Sequence, residues 1–267
     1  MNTSASLSFG TQLRDWRQRR RLSQLDLSVD AEVSTRHLSF VETGRAMPSR
    51  EMVLRLADRL DVPLRERNGL LTAAGFAPMY AERGLDDPAL RAARDAVEQI
   101  LKAHEPWPAL AVDRHWNLVF HNAAAAPLLN LGIAPELLVP PVNVLRISLH
   151  PQGLAPHIVN LAQWRAHLLE RVRHQVAVSA DATLAALLDE LVRYPAPALD
   201  EAHVPVPAST IVVPLVLDTP MGRLSLISTM TVFGTPVEIT LSELALETFF
   251  PADAATAAAL RRMAPAV

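Results

Sequence analysis

The feature that most constrains this chain is a succession of short helical segments in its first 75 residues, each marked by a residue that begins or ends a helix. Ser23, Ser34 and Ser49 each precede a stretch with apolar residues at helical spacing. A serine hydroxyl at such a position accepts a hydrogen bond from a first-turn backbone N–H. Gly44 follows the third segment, where glycine adopts the left-handed conformation that ends a helix. The pattern predicts an all-α domain of five helices that ends near Gly75.

Strand-like stretches appear only after this helical region. Asp86 or Asp87 is predicted to cap a helix that has Pro88 in its first turn. Further helices are predicted at about 122–131, 155–175 and 181–193 and from about 253, and strands at 108–113, 116–120, 211–217, 224–232 and 239–250. The apolar residues of the last strand change parity, which predicts a β-bulge near Ser242 and Glu243.

This order of elements predicts the α+β class. A five-helix N-terminal domain is followed by an antiparallel sheet with helices packed on one face. The predicted domains are 1–78 and 89–267, and the acidic, glycine-containing stretch between them, 79–88, is the predicted linker.

The charge of the chain is divided unevenly between these two parts. The 267 residues carry a net charge of −3, but the first 75 hold 12 arginines against 9 acids, and the remainder holds 13 basic against 19 acidic residues. A basic module beside an acidic one indicates that the first meets a polyanion. The chain has no cysteine, which excludes disulfides, zinc fingers, Fe–S clusters and a thiol nucleophile.

Three short motifs in the first domain fall in register with one another. Ser23-Gln24 opens the second helix, Val33-Ser34 precedes the third, and Glu42-Thr43-Gly44-Arg45 follows it. With these motifs, residues 10–75 resemble the xenobiotic-response-element (XRE) or Cro/C1-type helix-turn-helix family. The resemblance implies a sequence-specific DNA-binding transcription regulator whose third helix enters the major groove of double-stranded operator DNA. Where the family usually has a glycine in the turn, this chain has Glu32, and a non-glycine residue with positive φ costs about 1 kcal/mol.

The resemblance places the DNA contacts on or beside the first turns of the third helix. The implied DNA-binding residues are Gln24, Ser34, Thr35, Arg36, His37, Ser39 and Arg45. Arg36 suits a bidentate contact with guanine, and Gln24 suits adenine or a phosphate. Ser39 and Arg45 suit phosphates. An alternative for Gln24 and Ser34 is that they serve only as helix caps.

Two further charged groups in this domain have alternative interpretations. The basic run 17–21 is either a solvated helix end or a surface that steers phosphates. Glu42 is expected to form a structural ion pair with Arg14 or Arg17 rather than a base contact.

A second resemblance lies beyond residue 90. The stretches that carry it are 141–146, 149–156, 160–164, 233–236 and 247–253. Together with residues 34–45 they are similar to the MmyB-like regulators, which carry a PAS-like ligand-binding domain behind the same helix-turn-helix. The resemblance implies a one-component transcription regulator.

The second domain is apolar enough to leave a cavity between its sheet and its helices. On a helix, Arg146 and His150 would lie one turn apart on the same face, which suits the anionic head of a small apolar or acyl-type, fatty-acid-like ligand. Trp116, Phe120 and Trp164 are the candidate walls. The alternative is that Arg146 pairs with an acid and that the aromatic residues belong to the core.

Metal and enzyme chemistry have weaker signals. His167, Glu170 and His174 share a helix face at spacings of three and four, which a solvated surface explains as well as a metal site does. We expect no metal and no cofactor. The sequence has no Gly-x-Ser-x-Gly elbow, no paired-glycine fingerprint and no phosphate-loop lysine, and Lys102 is its only lysine. We therefore expect no enzyme activity.

A homodimer is expected, because one recognition helix covers too few bases for useful specificity. The competing function is a helix-turn-helix used for protein assembly, or an antitoxin-like module, without ligand sensing. No apolar stretch approaches 18 residues, and the first ten residues lack a signal-peptide pattern. The expected location is therefore cytoplasmic, with no membrane partner.

Overall fold

The computed structural model of the chain describes residues 8–129, 131–195, 212–234 and 238–263. The chain divides after Arg83 into two compact units, one with five N-terminal helices and one with an antiparallel sheet and its helices. The predicted α+β class is therefore confirmed.

The first unit has the predicted helices and the predicted serine caps. Its helices are α1 (Phe9–Arg19), α2 (Gln24–Asp30), α3 (Thr35–Glu42), α4 (Arg50–Arg59) and α5 (Leu64–Ala73). The side chains of Ser23, Ser34 and Ser49 each accept a hydrogen bond from the backbone N–H three residues ahead. The apolar side chains of the helices form a buried centre that includes Leu13, Leu27, Leu38, Val41, Leu56 and Ala57.

The second unit is built on a five-stranded sheet. The strands are β1 (Ala109–Val112), β2 (Leu118–His121), β3 (Leu215–Thr219), β4 (Gly222–Val232) and β5 (Ala245–Pro251). Their order is β2-β1-β5-β4-β3, and every neighbouring pair is antiparallel. The helices are α6 (Arg91–Ala103), α7 (Ala126–Leu129), α8 (Val144–Leu149), α9 (Leu161–Ser179), α10 (Ala182–Arg193), α11 (Ile239–Ser242) and α12 (Ala254–Met263).

Helices cover both faces of the sheet, so the prediction that they pack on one face is wrong. Val97 and Leu101 of α6 pack with Ala111 and Leu246 on one side. The larger core, which includes residues of α8, α9 and α10, lies against Phe249 and its neighbours on the other side. The physical reason is visible in β1, whose four residues are all apolar, so that both of its faces need a cover.

The last predicted strand is a short helix followed by a strand. Residues Ile239–Ser242 form α11, and β5 then pairs with β4 in a continuous register from Ala245 to Pro251. The predicted bulge near Ser242 is therefore wrong, because a helical turn changes the facing of later residues just as an inserted strand residue does. Ile211 and the turn residues Thr235 and Pro236 lie outside the described residues.

Candidate functional sites

The amino-terminal turn of α3 lies at the surface of the first unit. The Ser34 hydroxyl accepts from the backbone N–H of His37 at 3.1 Å, and Thr35 Oγ1 lies 2.9 Å from Ser28 Oγ on α2. These bonds fix the turn against α2. The predicted contact residues of α3 are exposed (Ser34, Thr35 and Arg36) or half-buried (His37 and Ser39).

The other predicted DNA contacts have defined surroundings. The Arg36 guanidinium carbon lies 5.4 Å from the centroid of the Phe40 ring. This contact restrains the guanidinium group and leaves its N–H donors unused. Gln24 Nε2 donates to Glu42 Oε2 at 2.8 Å. The same amide also carries a second N–H and a carbonyl oxygen, the donor and acceptor that the major-groove edge of adenine needs. Arg45, which follows Gly44 in the chain, is exposed.

Glu42 is a buried carboxylate that joins α1, α2 and α3. It accepts N–H groups from Arg17 at 2.7 and 2.9 Å, from Gln24 at 2.8 Å and from Arg14 at 3.4 Å. Burial by itself raises the pKa of Glu42, but the bonds from Arg17 and Gln24 outweigh burial and hold the pKa below its usual range. The expected ion pair is confirmed, with Arg17 as the closer partner.

A glycine in α1 allows this close packing. A Cβ on Gly10 would collide with the carbonyl oxygens of Val41 and Glu42, so α1 can meet the end of α3 only through glycine. Sequence reasoning missed Gly10, because glycine inside a helix carries no signal of what it faces. Glu32 has the expected positive φ, at 54°.

The basic run 17–21 includes structural arginines. Arg17 is buried against Glu42, and Arg20 donates to the carbonyl oxygens of Leu60 and Asp61 at 2.7 and 2.9 Å, which closes the end of α4. Arg19 and Arg21 are exposed. Two of the four arginines therefore hold the fold: the role of Arg17 was expected from its ion pair with Glu42, and that of Arg20 was not.

An apolar cavity of about 80 Å³ lies in the second unit between the sheet and helices α8 and α9. Trp116 and Trp164 line it, as predicted for an apolar site. The Trp116 indole N–H donates to Gln175 Oε1 at 2.8 Å, and that of Trp164 donates to Ser148 Oγ at 2.9 Å. The polar atoms of both rings are thus satisfied, and the cavity wall is predominantly apolar.

A carboxylate interrupts this apolar wall. Glu247 of β5 lines the cavity and is only 5% exposed. Arg171 Nη1 lies 3.5 Å from Glu247 Oε1, and the Arg171 guanidinium carbon lies 4.8 Å from the centroid of the Trp116 ring. Burial raises the pKa of Glu247, and Arg171 offsets that rise only in part.

Sequence reasoning missed Glu247 and Arg171. The signal for Glu247 was its parity, because Ala245 and Phe249 flank it at a spacing of two and both face the core. Because a bulge was predicted near Ser242, the inward face of this strand was assigned to the residues that alternate with Glu247. Arg171 lies one helical turn from both His167 and Gln175, in a polar row along α9.

The structure places the other predicted ligand residues outside the cavity. Arg146 donates to both carboxylate oxygens of Glu190, at 2.8 and 2.7 Å, so the alternative of an ion pair is what the structure shows. His150 follows the end of α8 and lies edge-on to Tyr194, with ring centroids 5.0 Å apart. Phe120 pairs with Ala111 in the register of β1 and β2 and packs on the face that α6 covers.

The face of α9 considered for metal binding is occupied by other contacts. His167 lies against Trp164, with ring centroids 5.6 Å apart, and Glu170 pairs with Arg173 at the surface. Among the described residues, no group of three histidines or acids has a geometry that would hold a metal ion.

Comparison with known families finds a match for each unit. Residues 8–70 match the model of a helix-turn-helix domain. Residues 93–263 match the model of the MmyB-like transcription regulator ligand binding domain. A search of curated proteins finds no match. The two domains define a DNA-binding transcription regulator that carries a ligand-binding domain.

The second match spans more than half of the chain, and the protein belongs to the MmyB-like transcription regulators. The resemblance drawn from its motifs is therefore confirmed. Both matched families are modules of regulators rather than of enzymes. Within the described ranges, no helix has the length and apolar character needed to span a bilayer.

Proposed function

We propose that this protein is a one-component regulator that binds operator DNA through α3 and responds to a small apolar or acyl-type ligand in the cavity of its second domain. The observation that carries the proposal is that the first turn of α3 is exposed. The Ser34 cap and the hydrogen bonds of Glu42 to α1 and α2 hold this turn in place. The proposed domains are 1–78 and 89–267, joined by a linker at 79–88.

Roles on DNA follow from exposure and side-chain chemistry. Arg36 reads a guanine through its two parallel N–H groups, and Gln24 reads an adjacent adenine or holds a phosphate. Arg45 and Ser39 bind phosphates and set the register of α3 in the groove. Ser34, Thr35 and His37 lie nearest to the base edges.

We further propose a homodimer on the operator. One α3 helix covers only a few base pairs, whereas two copies read half-sites about 34–36 Å apart, or a multiple of that distance, on one face of the duplex. A sedimentation measurement with and without a duplex that carries the two half-sites tests this assembly.

The competing function, a helix-turn-helix that binds another protein, is supported by one observation. Leu25 and Val29 lie one turn apart on α2 and are 61% and 67% exposed. An exposed apolar pair of this kind suits a protein contact. DNA binding of this competing module would show no preference for one sequence over random duplex.

The DNA proposal is tested with an operator selected from a random duplex library. Arg36→Ala should weaken binding by about 1–3 kcal/mol and relax the preference at one base position. Arg45→Ala should weaken binding to all sequences alike and lower the salt slope by about 1. Arg173→Ala, at an exposed arginine of α9, is the matched control and should change neither quantity. Equal, sequence-independent losses from Arg36→Ala and Arg45→Ala would contradict the assigned roles.

The ligand proposal is tested on the purified full-length protein. Native mass spectrometry, followed by denaturation and analysis of released small molecules, should detect an apolar compound bound to the second domain. Ala125→Phe, which adds a ring to the cavity wall, should abolish that binding and leave DNA binding in the absence of ligand intact.

A further inference from the structure

An aromatic side chain lies on the outward side of α3. The buried residues of this helix are Leu38, Val41 and Glu42. Successive residues of a helix are rotated by about 100°, so Arg36 and Phe40 project on the side opposite to these three. Phe40 is half-buried although it lies on the side of the helix that the core does not use. Its ring is therefore placed for a contact other than core packing.

The surroundings of Phe40 in the free protein are defined. The Arg36 guanidinium carbon lies 5.4 Å from the centroid of the ring, within the range of about 6 Å for a cation–π contact. The backbone N–H groups of Arg45 and Ala46 both donate to the carbonyl oxygen of Phe40, at 2.8 and 3.2 Å. The position of Phe40 at the end of α3 is thus fixed, and an apolar surface lies next to the guanidinium group.

The major groove offers few partners for such a surface. The edges of the bases carry hydrogen-bond donors and acceptors, together with one methyl group, the 5-methyl of thymine. A phenylalanine ring has no conventional hydrogen-bond donor or acceptor, so packing it on a polar edge would leave that edge without a partner. The residue spacing from Arg36 to Phe40 corresponds to about 6 Å along the helix, which is one to two base-pair steps of about 3.4 Å.

We propose that Phe40 is a specificity-determining residue, which packs on the 5-methyl group of a thymine within two base pairs of the guanine that Arg36 reads. The proposal rests on the proposed function, in which α3 lies in the major groove. The group that Phe40 recognises is a methyl on a pyrimidine ring. 5-Methylcytosine therefore satisfies the contact as thymine does, whereas uracil and cytosine do not.

The test uses the full-length protein and the operator selected from a random duplex library. The guanine is located as the base at which Arg36→Ala relaxes the preference. Each thymine within two base pairs of it is then replaced singly by uracil, which removes only the methyl group. One of these replacements should weaken binding about fourfold, which corresponds to about 0.8 kcal/mol for one buried methyl. With cytosine at the same position, 5-methylation should restore about fourfold.

Phe40→Ala should abolish this discrimination, so that the thymine and uracil operators bind with equal affinity. A purely structural role of Phe40 would weaken both operators alike and leave their ratio unchanged. Phe76→Ala, the same substitution at a half-buried phenylalanine of this unit outside α3, is the control and should keep the fourfold ratio. Thermal unfolding shows whether each variant is folded.

Phe40→Leu is a second variant that keeps an apolar side chain on α3. It serves if Phe40→Ala lowers the stability of the helix. Its shorter side chain should lower the thymine-to-uracil ratio below about twofold. It should also weaken the guanine preference of Arg36, because leucine has no ring for the guanidinium to stack on.

The possible failures are distinguishable. If no sequence is selected from the library, both this proposal and the proposed function on DNA are wrong. If an operator is selected but every thymine near the guanine can be replaced by uracil without loss, only the proposal for Phe40 is wrong. An equal loss on thymine and uracil operators in Phe40→Ala would also overturn it, because the ring would then stabilise α3 or contact the DNA backbone.

Discussion

Each unit of this protein contains a buried glutamate, and the two are held in opposite ways. Glu42 in the helix-turn-helix unit accepts N–H groups from three side chains, two of them arginines. Glu247 in the ligand-binding unit faces an apolar cavity and has one arginine at 3.5 Å. The pKa of Glu42 lies below its usual range, whereas burial raises the pKa of Glu247.

The difference in hydrogen-bond partners gives the two buried carboxylates different effects on their units. A carboxylate whose acceptor sites are filled fixes the relative positions of the helices that supply its donors. A buried carboxylate with one arginine at the long limit of a hydrogen bond is compensated less well, so its burial costs free energy. The first holds the scaffold of α3, and the second is a weakly paired carboxylate in the cavity wall.

The largest expected effect comes from removing the main partner of Glu42. Arg17→Met leaves Glu42 buried without its closest cation, and should lower the free energy of unfolding of the first unit by about 3–5 kcal/mol. Arg14→Met, at an arginine whose side chain is 44% exposed, is the control and should cost less than about 1 kcal/mol. Hydrogen exchange of the α1–α3 amides measures both. Equal losses would mean that Glu42 depends on both arginines alike.

The same conservative substitution should separate the two glutamates. Glu42→Gln weakens charge-assisted bonds to Arg17 and should cost about 2 kcal/mol. Glu247→Gln removes a charge that burial disfavours, and should change the free energy of unfolding of the second unit by less than about 1 kcal/mol. Urea unfolding with hydrogen exchange resolves the two units. A larger loss at Glu247 than at Glu42 would reverse the comparison.

Backbone strain in the scaffold gives a smaller effect. Glu32 has a φ of 54°, so Glu32→Gly should stabilise the first unit by about 0.5–1 kcal/mol. Asp30→Gly, two residues earlier at the last residue of α2, has no positive φ to relieve and should instead destabilise it by less than about 1 kcal/mol. Thermal unfolding of both variants tests the pair, and destabilisation by Glu32→Gly would show that the side chain of Glu32 contributes more than its strain costs.

The two pKa shifts predict that the free energy of unfolding depends on pH in opposite ways in the two units. Each dependence is measured as the difference in the free energy of unfolding between the wild type and the Glu→Gln variant. The lowered pKa of Glu42 adds stability that is present above the unfolded pKa of about 4.3 and is lost as pH falls through the folded value. The raised pKa of Glu247 adds stability that is present below about pH 4.3 and is lost as pH rises through the folded value. If these differences changed with pH in the same direction in both units, the contrast between Glu42 and Glu247 would be wrong.

The first unit was largely predictable because its signals are local. A serine cap, a glycine stop and the helical spacing of apolar residues each act within a few residues, and all three fall in register between Ser23 and Arg45. The ion pair of Glu42 was predictable as well, since a charged residue on the buried side of α3 needs a cation nearby. Gly10 was not, because its constraint comes from carbonyl oxygens of another helix.

The second unit was predicted less well, because its site depends on which face of a strand meets the cavity. The helical turn Ile239–Ser242 was taken for strand, and this error turned the assigned inward face of β5 away from Glu247. Of the three aromatic residues expected as cavity walls, Trp116 and Trp164 line the cavity and Phe120 does not. Arg146 was expected to bind either a ligand or an acid of the chain, and the sequence did not identify that acid because Glu190 lies 44 residues away.

The sequence by itself determined the two-part organisation, the α+β class, the helix-turn-helix and its family, because periodicity, caps and motifs are properties of neighbouring residues. Only the tertiary structure decided which carboxylate faces the cavity, which arginine neutralises it and which face of the sheet Phe120 covers. These are contacts between residues far apart in the chain, and strand register and helix packing set them rather than any local preference.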